Sequence, residues 1–359
     1  MKIRKRTRAG ILCLAAALAA GTLTGCGTGE VQMEKVTLIT GEDGVDAEGV
    51  YSEMWNGISQ YAAQRGCEAS WYQPEAQTAA GIETAIRKAA DDGATVVLCT
   101  GTQASIAVQE MQREEKQISF LIMEGEPTNA ETGEVQYRGN TSGVFLETAE
   151  AGFLAGYAAV QEGYRNLGFL AGKETKENIA YGSGFLQGAN QAATELELAD
   201  GSISIRYQLR GNESISPTSQ NEINSWYQEG CELIYACGPA AEFLALAAAN
   251  SCGGVVIDTN VTESSDDTHL LSSAGMDYCQ AAEQVLSLLA NGEIKGGKTL
   301  HLDASCGCLG LQLQEGAFTR FTQDQYQEII ARIASGDVKI SDKDAYANAA
   351  DMNLTKLTL

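Results

Sequence analysis

The residues that could do covalent or acid–base chemistry are few in this sequence. Only two histidines occur in 359 residues. They lie in Asp-Thr-His269-Leu-Leu and Leu-His301-Leu, contexts that read as strand or strand edge rather than as the station of a general base. There is no Gly-x-Ser-x-Gly elbow to present a nucleophilic serine. Glu42, Asp43 and Asp46 cluster in one loop, but a glycosidase needs two carboxylates facing each other across a cleft, which linear order leaves open. Gly182-Ser-Gly184-Phe-Leu-Gln-Gly188 brings its last glycine one residue late for a dinucleotide loop and follows a helical start instead of a strand. Gly168-Phe-Leu-Ala-Gly172-Lys173 is one residue short of a phosphate-binding loop, and Glu174 stands where that loop needs Ser or Thr. Ten cysteines are present. Cys13 and Cys26 fall in the N-terminal segment. Of the other eight, Cys99 and Cys237 sit inside apolar runs where a cysteine is a small buried hydrophobe, so free thiols are expected, with Cys306-Gly307-Cys308 the one pair spaced for redox or metal chemistry. With two histidines a zinc site is not expected. No catalytic residue, metal or cofactor is therefore expected, and the chemistry left to look for is recognition.

Recognition residues should stand where strands end. Apolar runs of strand length at 36–40, 69–72, 95–99, 119–123, 167–171, 202–208, 233–236, 254–257, 270–273 and 299–302 alternate with helix-length segments, among them 51–65, 78–92, 104–114, 141–161, 177–196, 218–229, 240–249 and 278–290. That alternation predicts α/β units and parallel sheets, whose ligands bind beyond the carboxyl ends of the strands. Asp258, directly after Gly-Gly-Val-Val-Ile, either accepts hydrogen bonds from a ligand's hydroxyls or caps the next helix. Glu124, Thr100, Thr102 and Gly238 sit at or beside other strand ends and offer polar groups or close backbone approach. Asp46 either faces the mouth of a cleft or caps a helix. Tyr51 and Tyr181 either offer flat stacking surfaces or belong to the core.

The N-terminus carries its own signal. Lys2, Arg4, Lys5, Arg6 and Arg8 precede the apolar stretch 11–20, too short to span a ~30 Å hydrocarbon core, and Leu23-Thr24-Gly25-Cys26 follows. This order resembles a bacterial lipobox, which implies a signal peptide over 1–25, acylation of Cys26 and a tether over 26–34. The 24 Lys plus Arg, less the five in the leader, stand against 47 Asp plus Glu and leave a formal charge of −28. Such a surface repels nucleic acid and argues against polybasic attachment to anionic lipid. About 330 mature residues exceed what one hydrophobic core supports, so two lobes are expected.

A weak repeat supports two like lobes. Gly93-Ala-Thr-Val-Val-Leu-Cys-Thr-Gly101 matches Gly230-Cys-Glu-Leu-Ile-Tyr-Ala-Cys-Gly238, and the runs ending at Gly41 and Gly172 match at a similar offset. Two α/β lobes with a cleft between them suit a protein that closes around a small solute.

The motifs taken in order resemble the basic membrane protein family of solute-binding lipoproteins, which includes purine nucleoside receptors. Gly44-Val45-Asp46 with Trp55-Asn56-Gly57 resembles its first loop and helix. Phe120-Leu-Ile-Met-Glu124 is similar to its fourth strand, where an aspartate is usual at the end. Phe153-Leu-Ala-Gly-Tyr157 is the most specific match. Leu167-Gly-Phe-Leu-Ala-Gly172 with Tyr181-x-x-Gly184-Phe185-x-x-Gly188 resembles the opening of the second lobe, Val256-Ile-Asp258 its ribose-contacting strand end and Leu271-Ser272-Ser273 its Thr-Ser strand. The likeness covers about residues 36–340. It implies a type I periplasmic-binding-protein-like fold, with one lobe from 35–140 and 260–296 and the other from 141–259 and 297–345. It also implies an extracytoplasmic, lipid-anchored protein of a bacterial cell membrane that captures a nucleoside or related solute and delivers it to an ABC permease and ATPase. A ligand-sensing lipoprotein that signals without transport, and less so an extracellular hydrolase, are the alternatives. Three positions depart from the nucleoside pattern. The stacking aromatic aligns with Val50, next to Tyr51; the expected lysine falls at Met276; the leading aspartate falls at Gly41. Loss of the lysine removes a charge-assisted hydrogen bond worth ~1.5–3 kcal/mol.

Overall fold

The computed structural model describes residues 33–261, 267–313 and 316–341, together with the backbone of Thr355–Thr358. The leader, Cys26 and most of the tether lie outside the described residues. The chain begins with β1 (Lys35–Ile39), α1 (Val50–Arg65), β2 (Glu68–Tyr72), α2 (Ala79–Asp91), β3 (Val96–Thr100), α3 (Thr102–Glu114), β4 (Ser119–Met123) and β5 (Thr141–Leu146). It continues through α4 (Thr148–Glu162), β6 (Asn166–Ala171), α5 (Lys176–Glu195), β7 (Ile203–Leu209), α6 (Pro217–Gln228), β8 (Leu233–Cys237), α7 (Pro239–Cys252), β9 (Val255–Asp258) and β10 (Leu270–Met276). The last segments are α8 (Tyr278–Ala290), β11 (Lys298–Leu302), β12 (Leu309–Leu311), α9 (Gln323–Ala334) and β13 (Thr355–Thr358).

Two sheets result, with strand orders β11-β5-β4-β3-β1-β2 and β12-β10-β9-β8-β6-β7-β13. Within the two halves the orders β5-β4-β3-β1-β2 and β10-β9-β8-β6-β7 are the same topology, as the repeat implied. All strand pairs are parallel except β10 with β12. The repeated Gly-apolar-Gly frames are β3 and β8. Each runs into a helix whose N-cap is the closing glycine, Gly101 at φ 94° and Gly238 at φ 91°, a backbone that an L side chain rarely adopts. The buried central strands read as unbroken apolar runs because helices cover both faces. Val97, Cys99, Phe120 and Ile122 pack under α2 and α3, while Val96, Leu98, Leu121 and Met123 face the other side.

The expected lobe boundaries need correction. The segment 141–161 was expected as one helix opening the second lobe, but its first part is β5, paired to β4 and β11 in the first sheet. The strand 270–276, expected with the first lobe, is central to the second sheet. The strand 298–302, expected with the second, closes the edge of the first. The chain therefore passes between the lobes three times. From β5 it enters α4, which packs on α5 so closely that a Cβ at Gly152, Gly156, Gly184 or Gly188 would overlap the partner helix's backbone. From β10 it enters α8, which packs on α1 at Gly57. From β11 it returns to β12 through a short 3-10 turn, Ala304–Cys306. All three passages start at carboxyl ends of strands, so those ends of both sheets face each other.

Cys306 and Cys308 form a disulfide in the third passage. Cys67, Cys99, Cys231, Cys237, Cys252 and Cys279 are free, with Cys99 and Cys237 buried as expected. No group of three or more His, Cys, Asp or Glu suited to hold a metal ion occurs among the described residues.

Candidate functional site

The first lobe contributes the ends of β1, β3 and β4. After β1 the chain turns at Gly41, and the ring of Tyr51 lies over it, so that a Cβ there would stand 2.6 Å from Tyr51 Cε2. Two of the departures are thus one: the side chain absent at 41 leaves room for the aromatic displaced from 50 to 51. Val50 itself is half-buried against the core. Thr100 is not free to meet a ligand, since its hydroxyl donates to the Met123 carbonyl at 2.7 Å and ties β3 to β4. Thr102 is exposed in the first turn of α3, and Asp46 is exposed in the loop before α1.

Glu124 ends β4 in the left-handed region, at φ 52°. A non-glycine residue held there is strained and persists where the surroundings fix it. Its N–H donates to the Val144 carbonyl at 2.7 Å, and its Oε1 accepts the Leu146 N–H at 2.9 Å. Burial pushes its carboxyl up to about 7, and the negative charges of Glu177 and Glu147 add to the shift. Glu177 belongs to the first turn of α5, in the other lobe.

The second lobe contributes Tyr181, and the second passage contributes Tyr278. Tyr181, on α5, is 4% exposed and stands edge-on to Tyr235 at 6.0 Å between ring centroids. The Tyr235 hydroxyl donates to the Ala274 carbonyl at 2.7 Å, whereas the Tyr181 hydroxyl has no hydrogen-bond partner among the described residues. Burial holds that phenol well above its usual range, with Tyr278, Cys237, Glu124 and Glu242 contributing. Tyr278, the first residue of α8, is half-buried where the second passage begins. Its phenol is also raised by burial, and by Glu124, Glu177 and Glu53. The charges of Glu124, Glu177 and Glu53 thus act on Tyr278, and that of Glu124 on Tyr181.

Gly238 and Asp258 are placed differently from expectation. The approach to Gly238 is taken by the chain's own Glu213, whose Oε1 accepts the Lys173 N–H and whose Oε2 accepts the Ala240 N–H, both at 3.0 Å. The same carboxylate fills the space over Gly172, where a Cβ would overlap it. Below it, Glu242 Oε1 accepts the N–H groups of Gly238 and Thr259 and the Thr259 hydroxyl, joining β8 to β9. Asp258 accepts the Asn260 N–H at 3.2 Å. Strand alternation turns its side chain to the same face as Val256, and there it lines a pocket of about 310 Å³ with Pro239, Glu242, Phe243, Leu246 and Asn260. It caps no helix among the described residues: β9 leads to β10, and α8 is capped by Asp277, which accepts the Gln280 N–H. Met276, at the expected lysine position, ends β10 half-buried against the core.

The sequence reading named Glu124 and Tyr181 as candidates and did not name Tyr278, Glu177, Glu53 or Glu213, which neighbour these strand ends or act on them electrostatically. A signal existed for Tyr278, an aromatic one residue past an Asp cap at a strand end.

The sequence matches the family described as ABC transporter substrate-binding protein PnrA-like over residues 34–344. The chain belongs to the Bmp family of PnrA-like ABC transporter substrate-binding proteins. Members of this family bind solutes and are not enzymes, and they work outside the cytoplasm. Two solute-binding proteins of ABC transporter systems share its fold. One, from Aeropyrum pernix K1, is 15% identical with a TM-score of 0.61, the match covering 89% of this chain and 96% of that one. The other, from Conexibacter woesei DSM 14684, is 17% identical with a TM-score of 0.63, covering 86% and 98%. A transcriptional activator of the comK gene from Bacillus halodurans has the same fold at 14% identity and a TM-score of 0.64, over 84% of this chain and 96% of that one. At these identities the likeness shows the fold alone. No curated protein matches the sequence.

Proposed function

We propose that this Bmp-family protein is a lipid-anchored receptor that captures a nucleoside or related small polar solute by closure of its two lobes and hands it to an ABC permease and ATPase. What supports the reading is that the carboxyl strand ends of both sheets border the three passages, with Glu124 at the end of β4 on one side and Tyr181 of α5 on the other. A rigid-body closure about the three passages buries whatever sits between these groups. Closure is stabilised only by the extra contacts the solute makes in the closed state. Tyr181 and Tyr278 supply aromatic surface for a flat base, and Glu124 accepts hydrogen bonds from sugar hydroxyls. Asp46, Tyr51, Thr102 and Asp258 border this region in the proposal, while Thr100 and Gly238 support it through the backbone.

Thermal denaturation of the chain from residue 26, with Cys26 unacylated, tests the solute class. A single-site solute at a hundred times its Kd adds about 2.7 kcal/mol of stability. Adenosine, guanosine or inosine is expected to raise Tm by several degrees. If none does while a sugar or amino acid does, the nucleoside assignment is wrong. The anchor is tested separately: Cys26→Ala is expected to move the protein from the membrane fraction to the soluble fraction of the cells that export it, and an unchanged membrane fraction would remove the lipoprotein reading.

A further inference from the structure

We infer that the Cys306–Cys308 disulfide is a thiol–disulfide exchange site that governs the hinge: oxidised, it holds the third passage stiff, and a dithiol reductant frees the lobes to open and close faster. The inference rests on the lobe-closure reading, which makes the three passages a hinge.

The place of the pair in the fold carries it. The third passage is anchored at both ends. Upstream, the Leu302 carbonyl accepts the Glu147 N–H at 2.9 Å and the Ala304 N–H donates to Glu150 Oε2 at 2.7 Å, which ties the segment to the first passage, where β5 runs into α4. Downstream, the Cys308 carbonyl accepts the Asp277 N–H at 2.9 Å and Leu309 pairs with Met276, which ties it to the second passage, where β10 runs into α8. The ring closed by Cys306, Gly307 and Cys308 lies between these anchors. A change of lobe angle that moves the first passage against the second must be taken up by the few residues between them, as hinges do. A disulfide across a single intervening residue removes most of that freedom. Gly307, at φ 77°, regains the widest range once the bond opens.

The pair is also accessible to exchange. Cys306 is half-buried between exposed Ser305 and Gly307, whereas Cys308 is fully buried. One residue is open to attack and the other is sheltered, so an incoming thiolate has one target. It attacks Cys306 Sγ, the bond to Cys308 Sγ breaks, and Cys308 leaves as a thiolate that takes up a proton. The reductant's second thiol then displaces Cys306, which also ends as a thiol, and the reductant ends as a disulfide. Two electrons and two protons pass to the protein. Cys306 Sγ accepts the Cys308 N–H at 3.3 Å, a bond that favours the thiolate Cys306 becomes in the second displacement. Cys99 and Cys237, by contrast, are buried inside strands of the two sheets. Disulfides persist outside the cytoplasm, where this family works, so the resting state is the oxidised one.

The test uses the chain from residue 26, purified without reductant and then treated with dithiothreitol under nitrogen. Alkylation and peptide mapping should find Cys306 and Cys308 unmodified before treatment and both modified after it. Hydrogen exchange in peptides covering 274–280 and 302–312 should quicken about tenfold on reduction, while β3 and β8 keep their rates. Cys306→Ser should exchange as the reduced protein does and no longer respond to dithiothreitol. The wild-type comparison stands without it should that variant fail to fold. Reduced protein should release a bound nucleoside several-fold faster in stopped flow. Free thiols at Cys306 and Cys308 in the untreated protein, exchange unchanged by reduction, or equal release rates in the two states would each overturn the inference. If exchange quickens as expected but neither state binds adenosine, guanosine or inosine, the switch stands and the nucleoside reading falls.

Discussion

Gly184→Val is expected to lower the melting temperature by roughly 5–10 °C, the largest effect of any single substitution considered for this protein. A Cβ at Gly184 would overlap the Ala149 carbonyl oxygen, and Gly188 meets Phe153 in the same way. From the other helix, Gly152 and Gly156 press on the carbonyls of Tyr181 and Phe185. Four glycines thus let α4 and α5 approach backbone to backbone, and neither helix can retreat because α4 is buried along most of its length and α5 through its middle. The clash is with carbonyl groups, not with the ends of flexible side chains, so relief requires moving a helix. Overpacking of this kind costs about 3 kcal/mol or more. Differential scanning calorimetry reads the loss directly. Gly139→Ala is the control, since a Cβ there meets nothing within 4 Å, and its effect should stay within about 0.5 kcal/mol. Equal melting temperatures for Gly184→Val and Gly139→Ala would refute the close packing of α4 on α5.

Stability should rise as pH falls from 8 to about 5. Burial pushes Glu124 up to about 7, with Glu177 and Glu147 adding to the shift. Burial also pushes Glu150 up to about 7, with Asp303 and Glu147 adding to it and the Ala304 N–H opposing. In the unfolded chain each titrates near 4.5. Between 4.5 and 7 the native state therefore binds more protons than the unfolded state. The stabilisation is complete below the unfolded value and is lost as pH rises through 7. Glu124 contributes on the order of 3 kcal/mol to the difference, and Glu150 less because water screens it. Below about pH 4.5 the trend reverses. Glu162, where burial is outweighed by hydrogen bonds from Thr319, Phe321 and Arg320, and Asp267, held down by Asn250 and the His269 N–H, then lose their contributions. Urea midpoints at pH 8, 6.5 and 5 measure the slope. Glu124→Gln should stabilise at pH 8 far more than at pH 5. A wild-type maximum at pH 8 would overturn the assignment.

Much of the scaffold was legible because it depends on local signals. The alternation of apolar runs with helical segments gave the parallel α/β class. The paired glycine frames around β3 and β8 gave the internal symmetry, because each closing glycine holds the same left-handed turn before a helix. Phe153-Leu-Ala-Gly156-Tyr157, the most specific family motif, turns out to be one side of the glycine contact between α4 and α5. What was not legible depends on partners distant in sequence. In Thr141-Ser-Gly-Val-Phe-Leu146 nothing separates a strand from the start of a helix. Only the fold shows that Gly143 is small because the Tyr137 hydroxyl and the Gly125 carbonyl crowd it. Which sheet receives the strands 270–276 and 298–302 is likewise a tertiary choice. At the site, the end of β9 was correctly located, but a strand's alternation decides which face Asp258 takes, and that face is under α7. Glu124 and Tyr181 could be named as candidates from their places on single elements, whereas the influence of Glu177 on Glu124 and Tyr278 depends on which segments cross.

The threefold passage of the chain has a bearing on how the molecule is assembled. The first sheet is closed by β11, so its edge stays open until the polypeptide has been delivered beyond residue 302. By then every strand of the second sheet before β12 is already available. Neither half can be finished as an independent unit in order of synthesis, and a single proteolytic nick cannot release one half intact. Maturation of this protein is therefore a joint event, and a truncation before β11 should leave two unfinished bodies instead of one complete domain.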